Sequence, residues 1–322
     1  REMLEAGFTT IRNLSEAGFY GDTALRQAIE EGFVVGPTMI NAGRFIIPYG
    51  AEAPANNEKP DLNAPAKVEA DSPDELLKVV RENIHYGARV IKILVDDTPY
   101  VYSTEDLELV VREAGQGGIK VAAHAVTDQG ARNAAEAKVA SIEHGTRMSP
   151  ETLEIAKRNG VYVVPTPFTP HLIREMSIRL SGMKHDENFR DADRVFATYV
   201  GALKRNYEAG ALLAFGSDVG VVSDGWTRGS LAISTIDGWV AAGVPPEVIL
   251  QALTVNAARL VGVDKERGFI QPGFAADIVA TPENPLENVN TLKRVSFVMK
   301  EGKVYRHDAP GSGSTSAGSG NP

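Results

Sequence analysis

The chain alternates short runs of β-type hydrophobic residues with stretches whose apolar positions recur at helical spacing. Seven runs predict strands: Phe8–Asn13, Thr38–Ala42, Val90–Val95, Lys120–His124, Ala140–His144, Val161–Pro165 and Leu212–Asp218. Helices are predicted between them, near residues 22–31, 73–87, 104–117, 127–138, 150–159 and 187–209. This alternation is typical of a parallel sheet built from βα units.

A parallel α/β series can form a doubly wound sheet or a barrel. The sequence has neither GxGxxG nor GxxxxGK[ST], the glycine-rich phosphate loops expected of a doubly wound nucleotide-binding sheet. A barrel is therefore favoured, and a barrel has eight strands. Because Arg1–Gly7 has the pattern of a helix end, we expect the first strand to be the missing one. The predicted fold is a TIM-like (β/α)8 barrel that lacks its first strand in this chain.

The C-terminal part has a different pattern. Short strands are predicted at Ala276–Ala280 and Ser296–Met299, followed by a hairpin-like turn at Glu301–Lys303. We therefore divide the chain into a barrel (1–265), a β-sandwich segment (266–308) and a flexible Gly/Ser tail (309–322). A long loop rich in Pro, Ala and Asn follows the second predicted strand at Tyr49–Ala66, and long loops at barrel mouths are often functional.

Composition narrows the classes of function. The 322 residues are 43% hydrophobic and 23% charged, as in ordinary globular proteins. A net charge of −9 gives no electrostatic footprint for nucleic acid or an anionic membrane, and no apolar run is long enough to span a bilayer. There are no cysteines, so a metal ion would need His, carboxylate or modified Lys ligands. The compartment is not fixed by the sequence, and cytoplasm is only the default.

Metal-competent side chains lie at or near the ends of four predicted strands. They are Lys92, His124, His144 and Asp218. Because barrel active sites lie at the carboxyl ends of the strands, these four groups are expected to converge at the mouth.

Each of the four also has an ordinary structural interpretation. Lys92 lies among β-branched residues, where an unpaired ammonium is costly to bury. Carboxylation by CO₂ would turn it into an anionic ligand, whereas pairing with Asp96, Asp97 or another carboxylate would simply neutralise it. The two histidines could be hydrogen-bonded structural residues, and Asp218 could cap a turn.

The order Lys, His, His, Asp, together with seven short sequence words, resembles the amidohydrolase superfamily. The branch it resembles contains imidazolonepropionase-like enzymes and Xaa-Pro dipeptidases (prolidase-like). The words are Leu4–Asn13, Gly87–Ile93, Ala122–Ala125, Ser141–Gly145, Gly216–Asp218, Ala252–Arg259 and Gln271–Val279. The last word resembles the family's return from the barrel to a β-sandwich.

This resemblance implies a centre of two divalent ions, with zinc expected. Lys92, carboxylated, would bridge the ions; His124 and His144 would bind the second, and Asp218 the first. A bridging hydroxide would attack an amide C–N bond in a dipeptide, N-acyl amino acid or cyclic amide, with Asp218 as general base. The alternatives are a phosphotriester, lactone or ester hydrolase using the same centre, or a non-catalytic fragment.

One family feature is missing from the sequence. The family carries a His-x-His pair on strand one, and none of the six histidines here forms such a pair. We therefore expect an upstream segment or a second chain to supply that strand. We also expect a homo-oligomer.

Five residues are candidates for substrate binding. Arg44 could grip a substrate carboxylate or form a surface ion pair. His171 could touch the leaving group, Trp226 could form an apolar wall, and Tyr49 and Tyr100 could line the mouth. All five follow predicted strands, and each is also compatible with an ordinary surface role.

Overall fold

The computed structural model describes residues 1–14, 19–50, 67–98, 100–181 and 191–308. Its strands are β1 (Thr10–Asn13), β2 (Thr38–Asn41), β3 (Phe45–Ile47), β4 (Lys67–Glu69), β5 (Val90–Leu94), β6 (Lys120–Ala125), β7 (Ser141–His144), β8 (Tyr162–Val164), β9 (Leu212–Leu213), β10 (Ile278–Ala280), β11 (Phe297–Lys300) and β12 (Lys303–His307). Each of the seven predicted βα strands thus has an observed counterpart.

Helices fill most of the intervals between the strands. They are α1 (Glu2–Glu5), α2 (Gly21–Glu30), α3 (Pro73–His85), α4 (Thr104–Gln116), α5 (Asp128–Glu136), α6 (Pro150–Arg158), α7 (Pro170–Ser181), α8 (Ala192–Glu208), α9 (Arg228–Ser234), α10 (Ile236–Ala241), α11 (Pro246–Leu253) and α12 (Val255–Val261). A 3-10 helix spans Val289–Arg294. None of the described helices is long and apolar enough to cross a membrane.

The main sheet is parallel and has the order β4-β3-β5-β6-β7-β8-β9. Strands β1 and β2 form a separate parallel pair, joined to β5 where Arg89 N–H donates to the Asn41 carbonyl at 2.8 Å. Alternate side chains point to opposite faces of such strands. On β5, Ile91 and Ile93 belong to the core shared with the helices, whereas Val90 faces a smaller inner cluster.

The sheet is strongly curled. Arg12 on β1 and Glu143 on β7 form an ion pair of 2.7 Å, although their strands lie four positions apart in the order β1-β2-β5-β6-β7. In a flat sheet, four strand spacings would separate them by about 19 Å. Phe8, before β1, also stacks on Phe215, after β9, with ring centroids 6.3 Å apart. The predicted parallel α/β architecture is confirmed, and full barrel closure stays a prediction.

The edge of the main sheet at β9 is partly covered. Phe215 N–H donates to the Ala252 carbonyl at 3.0 Å. The Asn256 side-chain amide donates to the Leu213 carbonyl at 2.9 Å. Ala252 on α11 and Asn256 on α12 thus satisfy backbone groups that an exposed edge would leave unpaired.

The C-terminal part forms an antiparallel sheet of β10, β11 and β12. The predicted turn at Glu301–Lys303 connects β11 to β12, and Glu301 and Gly302 both have positive φ. Arg267 is tied to this sheet by an ion pair with Asp277 at 2.6 Å. A second sheet, which a sandwich requires, stays a prediction. The predicted tail, 309–322, lies outside the described residues, as does most of the loop Tyr49–Ala66.

Strands β3 and β4 and helix α7 are among the elements that were not predicted. Strands β3 and β4 are only three residues long, and β3 follows β2 after a break at 42–44, so neither has a full β-type run. Helix α7 begins at Pro170, a residue favoured in the first turn of a helix. Its sequence lies in a region rich in proline and threonine, which favours an irregular segment on composition alone.

Candidate metal centre

Strand alternation places Lys92 and His124 on the inner face of the sheet. Lys92 shares its side of β5 with Val90, and His124 shares its side of β6 with Ala122. Val90 and Ala122 belong to one inner hydrophobic cluster. The strands pair so that Lys92 lies opposite Ala122 and Leu94 opposite His124. Lys92 and His124 therefore point to the same enclosed space, near the carboxyl ends of their strands.

His144 reaches this space by a different route. Alternation along β7 would put it on the side of Ile142, which packs in the core between sheet and helices. Instead, His144 has a φ of 71°, in the left-handed region that is uncommon for residues other than glycine. Gly145 N–H donates to the Glu143 carbonyl at 3.0 Å and closes a tight turn around it. Strained backbone of this kind is often found at functional sites.

The turn brings the two histidine rings together. Their centroids lie 4.6 Å apart at an interplanar angle of 70°. Nδ1 of His144 shares a hydrogen bond of 2.6 Å with the Thr166 hydroxyl, which fixes the ring orientation and leaves Nε2 available. Such an outer hydrogen bond is the usual way in which proteins orient a metal-binding imidazole.

Both histidines are held in the neutral form. Burial, assisted by the neighbouring His144 and Lys92, lowers the pKa of His124 to about 2. Burial and Lys92 lower the pKa of His144 to about 3. Nε2 of His124 is also buried without a hydrogen-bond partner among the described residues. An unsatisfied buried polar atom is costly, and a neutral imidazole nitrogen is a good metal donor.

The surroundings of Lys92 also shift its pKa. Burial lowers its pKa, as does Arg12 to a smaller extent, while Glu143 and Asp218 act in the opposite direction. No ion pair of Lys92 is found within the described part of the chain. Asp96 does not neutralise it, because its carboxylate accepts hydrogen bonds from the backbone N–H groups of Val126 and Thr127 at 2.9 and 2.8 Å.

Asp218 follows β9 and also has a positive φ, of 50°. Part of its surface reaches solvent, but surrounding protein desolvates the carboxylate and raises its pKa to about 6; Lys92 opposes this shift and Glu143 adds to it. A carboxyl group with such a pKa can accept and return a proton near neutral pH.

Two further charged residues near the centre were missed by sequence reasoning. Arg12 donates to both oxygens of Glu143, at 2.7 and 2.8 Å, and to the Ser141 hydroxyl at 2.9 Å. Ser141 in turn donates to Glu143 at 2.5 Å. Glu143 lies two residues after Ser141, on the inner side of β7. Because residues two apart share one side of a strand, this position could have been used to predict that Glu143 points inward.

A third missed residue is Tyr199 on α8. Burial raises the pKa of its hydroxyl, and the nearby carboxylates of Asp218 and Asp97 raise it further. Its ring contacts Phe168 edge-on at 5.6 Å. A tyrosine on a helix with many polar neighbours carries no sequence signal for such a position.

The donor set can be tested for its fit to a metal ion. Within the described residues, no three His, Asp or Glu side chains by themselves form a metal-binding group. Lys92 can add a further donor only if its nitrogen loses a proton or is converted to a carbamate. The lowered pKa of Lys92, the neutral histidines and the unsatisfied His124 nitrogen all fit this requirement.

Among the substrate-binding candidates, Arg44 contacts other residues of the protein, and Tyr49 and Tyr100 are largely exposed. The Arg44 guanidinium pairs with Glu82 on α3 at 3.2 Å and donates to the Lys67 carbonyl at 2.8 Å. Tyr49 and Tyr100 are 66% and 65% exposed. Arg44 thus makes the ion pair that was the alternative to substrate binding, and a substrate role for these three residues stays a prediction.

The other two candidates lie against each other. His171, in the first turn of α7, stacks on Trp226 with ring centroids 5.0 Å apart and an interplanar angle of 23°. Its Nε2 shares a hydrogen bond of 3.0 Å with the Ser223 hydroxyl. Ser223 and Trp226 lie in the loop that follows Asp218.

The sequence profile of the amidohydrolase family matches residues 1–305, nearly the whole described chain. The chain belongs to the amidohydrolase family. This match confirms the resemblance drawn from the seven sequence words. The curated and solved relatives include hydrolases, and the protein is therefore an enzyme of a hydrolytic family.

Three relatives illustrate the likeness of this amidohydrolase to known proteins. Ochratoxinase of Aspergillus niger is 29% identical over 349 residues, covering 97% of this chain and 68% of that protein. Imidazolonepropionase of Shouchella clausii is 25% identical over 307 residues, covering 94% of this chain and 61% of that protein. A crystal structure of a Xaa-Pro dipeptidase with bound methionine in the active site superposes with a TM-score of 0.80 at 29% identity, covering 95% and 77% of the two chains.

Proposed function

We propose that this amidohydrolase cleaves an amide or peptide C–N bond in a small substrate such as a dipeptide, an N-acyl amino acid or a cyclic amide, at a binuclear metal centre. The observation that carries the proposal is the pair of neutral histidines, His124 and His144, with rings 4.6 Å apart beside Lys92. The Xaa-Pro dipeptidase among the relatives supports the choice of a peptide-type bond over an ester or phosphotriester.

Four residues would hold the metal ions. They are His124, His144, Asp218 and, as a carbamate, Lys92. Divalent ions, when bound, supply Lewis-acid polarisation of the scissile carbonyl and acidify water. Zinc, manganese and cobalt all suit nitrogen and carboxylate ligands, and zinc is our first expectation.

The protein's own groups would move the proton. Hydrolysis adds water across the C–N bond, so one proton must pass from the attacking water to the leaving nitrogen. Asp218, with a pKa of about 6, is ionised at neutral pH and can take this proton. Because its conjugate acid is only weakly disfavoured, it can return the proton to the amine. Thr166 would keep the His144 ring in place throughout.

The test combines metal content with a substrate panel. The purified protein is assayed for bound metal by elemental analysis, and for hydrolysis of dipeptides, N-acyl amino acids, lactones and a phosphotriester. We expect zinc to bind, and amide hydrolysis to disappear on chelation and return with zinc. The variant His144→Ala should lose both metal and activity. His85→Ala is the matched control, because His85 is exposed on α3 and contacts Tyr86 instead of the centre.

Two outcomes would contradict the proposal. One is full amide hydrolysis after exhaustive removal of metal. The other is equal metal binding by the wild type and the His144→Ala variant. Preferred cleavage of the lactone or phosphotriester would be consistent with the proposed metal centre, but it would show that the enzyme cleaves a bond other than an amide.

A further inference from the structure

A cavity lies at the amino ends of the strands, away from the proposed metal centre. Its volume is about 110 Å³, whereas one water molecule needs about 10–15 Å³. It is lined by Val90 and Lys120, the first residues of β5 and β6. Because His124 comes four residues after Lys120, about 13 Å of strand separates the two positions. The cavity therefore has room for a small ligand that takes no part in chemistry at the metal centre.

Three cationic side chains line this cavity, which we call the basic cavity: Arg12 on β1, Arg89 before β5 and Lys120 on β6. No Asp or Glu is among the described residues that line it, although the whole chain has 42 acidic and only 33 basic residues. Burial lowers the pKa of Lys120; Asp264 opposes this shift, and the charge of Arg12 adds to it. Arg12 and Lys120 thus lie near enough for their like charges to repel each other.

The carboxylates that pair with the two arginines do not remove this positive charge. Glu143 pairs with Arg12 at 2.7 Å. Glu30 pairs with Arg89 at 2.7 Å, but it also pairs with the buried Arg26 at 2.6 Å. Two guanidinium groups therefore share the single charge of Glu30, which leaves a surplus of positive charge beside the cavity.

Arg12 and Lys120 each retain an N–H donor. Nζ of Lys120 donates to the carbonyls of Arg259 and Leu260 at 2.8 and 2.9 Å, which uses two of the three ammonium protons. Neither carbonyl carries a formal charge. Arg12 donates through Nη1 and Nη2, and no hydrogen bond of its Nε is found within the described part of the chain. Charged N–H donors of this kind form their strongest hydrogen bonds with anionic oxygens.

We propose that the basic cavity binds a small tetrahedral oxyanion such as inorganic phosphate. The surplus positive charge calls for an anion, the volume calls for a small one, and donors on separate strands call for several acceptor oxygens. Lys120 is exposed, so the site can be reached from solvent. Because Arg12 belongs to the β1–β2 pair and Lys120 to the main sheet, the bound anion would link these two sheets. The proposal does not depend on the proposed amide hydrolysis.

The test measures phosphate binding to metal-free protein, so that phosphate cannot act by binding a metal ion. The melting temperature is followed against phosphate concentration, with sodium chloride keeping the ionic strength constant. We expect a saturable rise in the wild type. Lys120→Met keeps the aliphatic stem but removes the charge, and it should weaken the apparent phosphate affinity about tenfold or more. Lys204→Met is the matched control, because Lys204 is exposed on α8 and pairs with Glu208; it should bind phosphate as the wild type does.

A second variant keeps the test valid if Lys120→Met, which also loses two hydrogen bonds to α12, does not fold. Arg89→Met leaves Glu30 paired with Arg26, and it should weaken phosphate binding in the same direction. The position of the anion is checked with selenate, a heavier tetrahedral oxyanion. Anomalous scattering from wild-type crystals grown with selenate should give a peak between Arg12 and Lys120.

Three results would overturn the proposal. They are the absence of a saturable rise in the wild type, an unchanged phosphate affinity in the folded variants Lys120→Met and Arg89→Met, and selenate peaks that all lie outside the basic cavity. Weaker binding in these variants but not in Lys204→Met would support it. Since every binding measurement uses metal-free protein, a failure to find amide hydrolysis would leave these results unaffected.

Discussion

The ion pair between Arg12 and Glu143 spans the inside of the curled sheet, and its disruption should destabilise the protein strongly. The two side chains are only 11% and 5% exposed. Glu143 accepts three hydrogen bonds, two from Arg12 and one from Ser141. Substitution Glu143→Gln keeps the size of the side chain but leaves the Arg12 charge without its counter-ion.

The expected loss follows from burial. Removing one partner of a buried ion pair typically costs about 3–5 kcal/mol, since the remaining charge is desolvated and unpaired. The expected loss of stability is reduced by one effect. Glu143 raises the pKa of Lys92, so removing Glu143 favours the neutral form of this buried lysine. We therefore expect a loss near the lower limit, about 3 kcal/mol, which is a large part of a typical stability of about 5–15 kcal/mol.

The assay is equilibrium unfolding in urea, followed by circular dichroism, with midpoint and slope fitted for each variant. Glu136→Gln is the control, because its partner Arg132 forms an i,i+4 pair in which both side chains are over one-third exposed. That variant should change stability by less than about 0.5 kcal/mol. The double variant Arg12→Met/Glu143→Leu should recover much of the loss, since it leaves no unpaired charge. A Glu143→Gln variant within about 1 kcal/mol of the wild type would refute the reasoning.

Three further predictions concern the centre. Lys92→Ala should abolish hydrolysis, and acetate or propionate should restore part of it by replacing the carbamate; no rescue would argue against carboxylation. Asp218→Asn should lower kcat by about 100-fold or more, because only the carboxylate accepts a proton. In the metal-free protein, titration of the wild type should show one carboxyl group with a pKa raised to about 6 by burial, and Asp218→Asn should lack it. In metal-free protein, the pKa of His124 falls from 6.5 to about 2 on folding, so its contribution to stability is present above pH 6.5 and is lost on acidification. His124→Asn should therefore flatten the acid limb of the melting temperature, whereas an unchanged limb would contradict this assignment.

The inner positions of Lys92 and His124 could be predicted because they obey the two-residue period of a strand. Their neighbours Val90 and Ala122 are small or branched apolar residues, as expected inside a barrel. A polar side chain on this inner face, near the end of a strand, indicates a catalytic or binding role. Tertiary context was not needed to place these two residues on the same face.

His144 lies beside His124, but the strand period alone would have placed it on the opposite face. Its side chain reaches His124 only because its own backbone enters the left-handed region, a feature that the amino-acid type does not reveal. Arg12 was missed for another reason. Its partner Glu143 lies 131 positions later in the chain, and an ion pair between such distant residues depends on the curl of the sheet.

The features that support the proposed metal centre also make the metal-free fold less stable. An unsatisfied His124 nitrogen, left-handed backbone at His144 and Asp218, and a desolvated Lys92 each raise the free energy of the folded state. A bound cation would satisfy the nitrogen and the carboxylate while leaving the unfolded chain largely unaffected. Zinc should therefore raise the melting temperature of the wild type and of His85→Ala, but not that of His144→Ala. Because this shift measures binding without turnover, it separates loss of the metal from loss of the proton-transfer group: Asp218→Asn should keep part of the shift through the two histidines, even when its activity is gone.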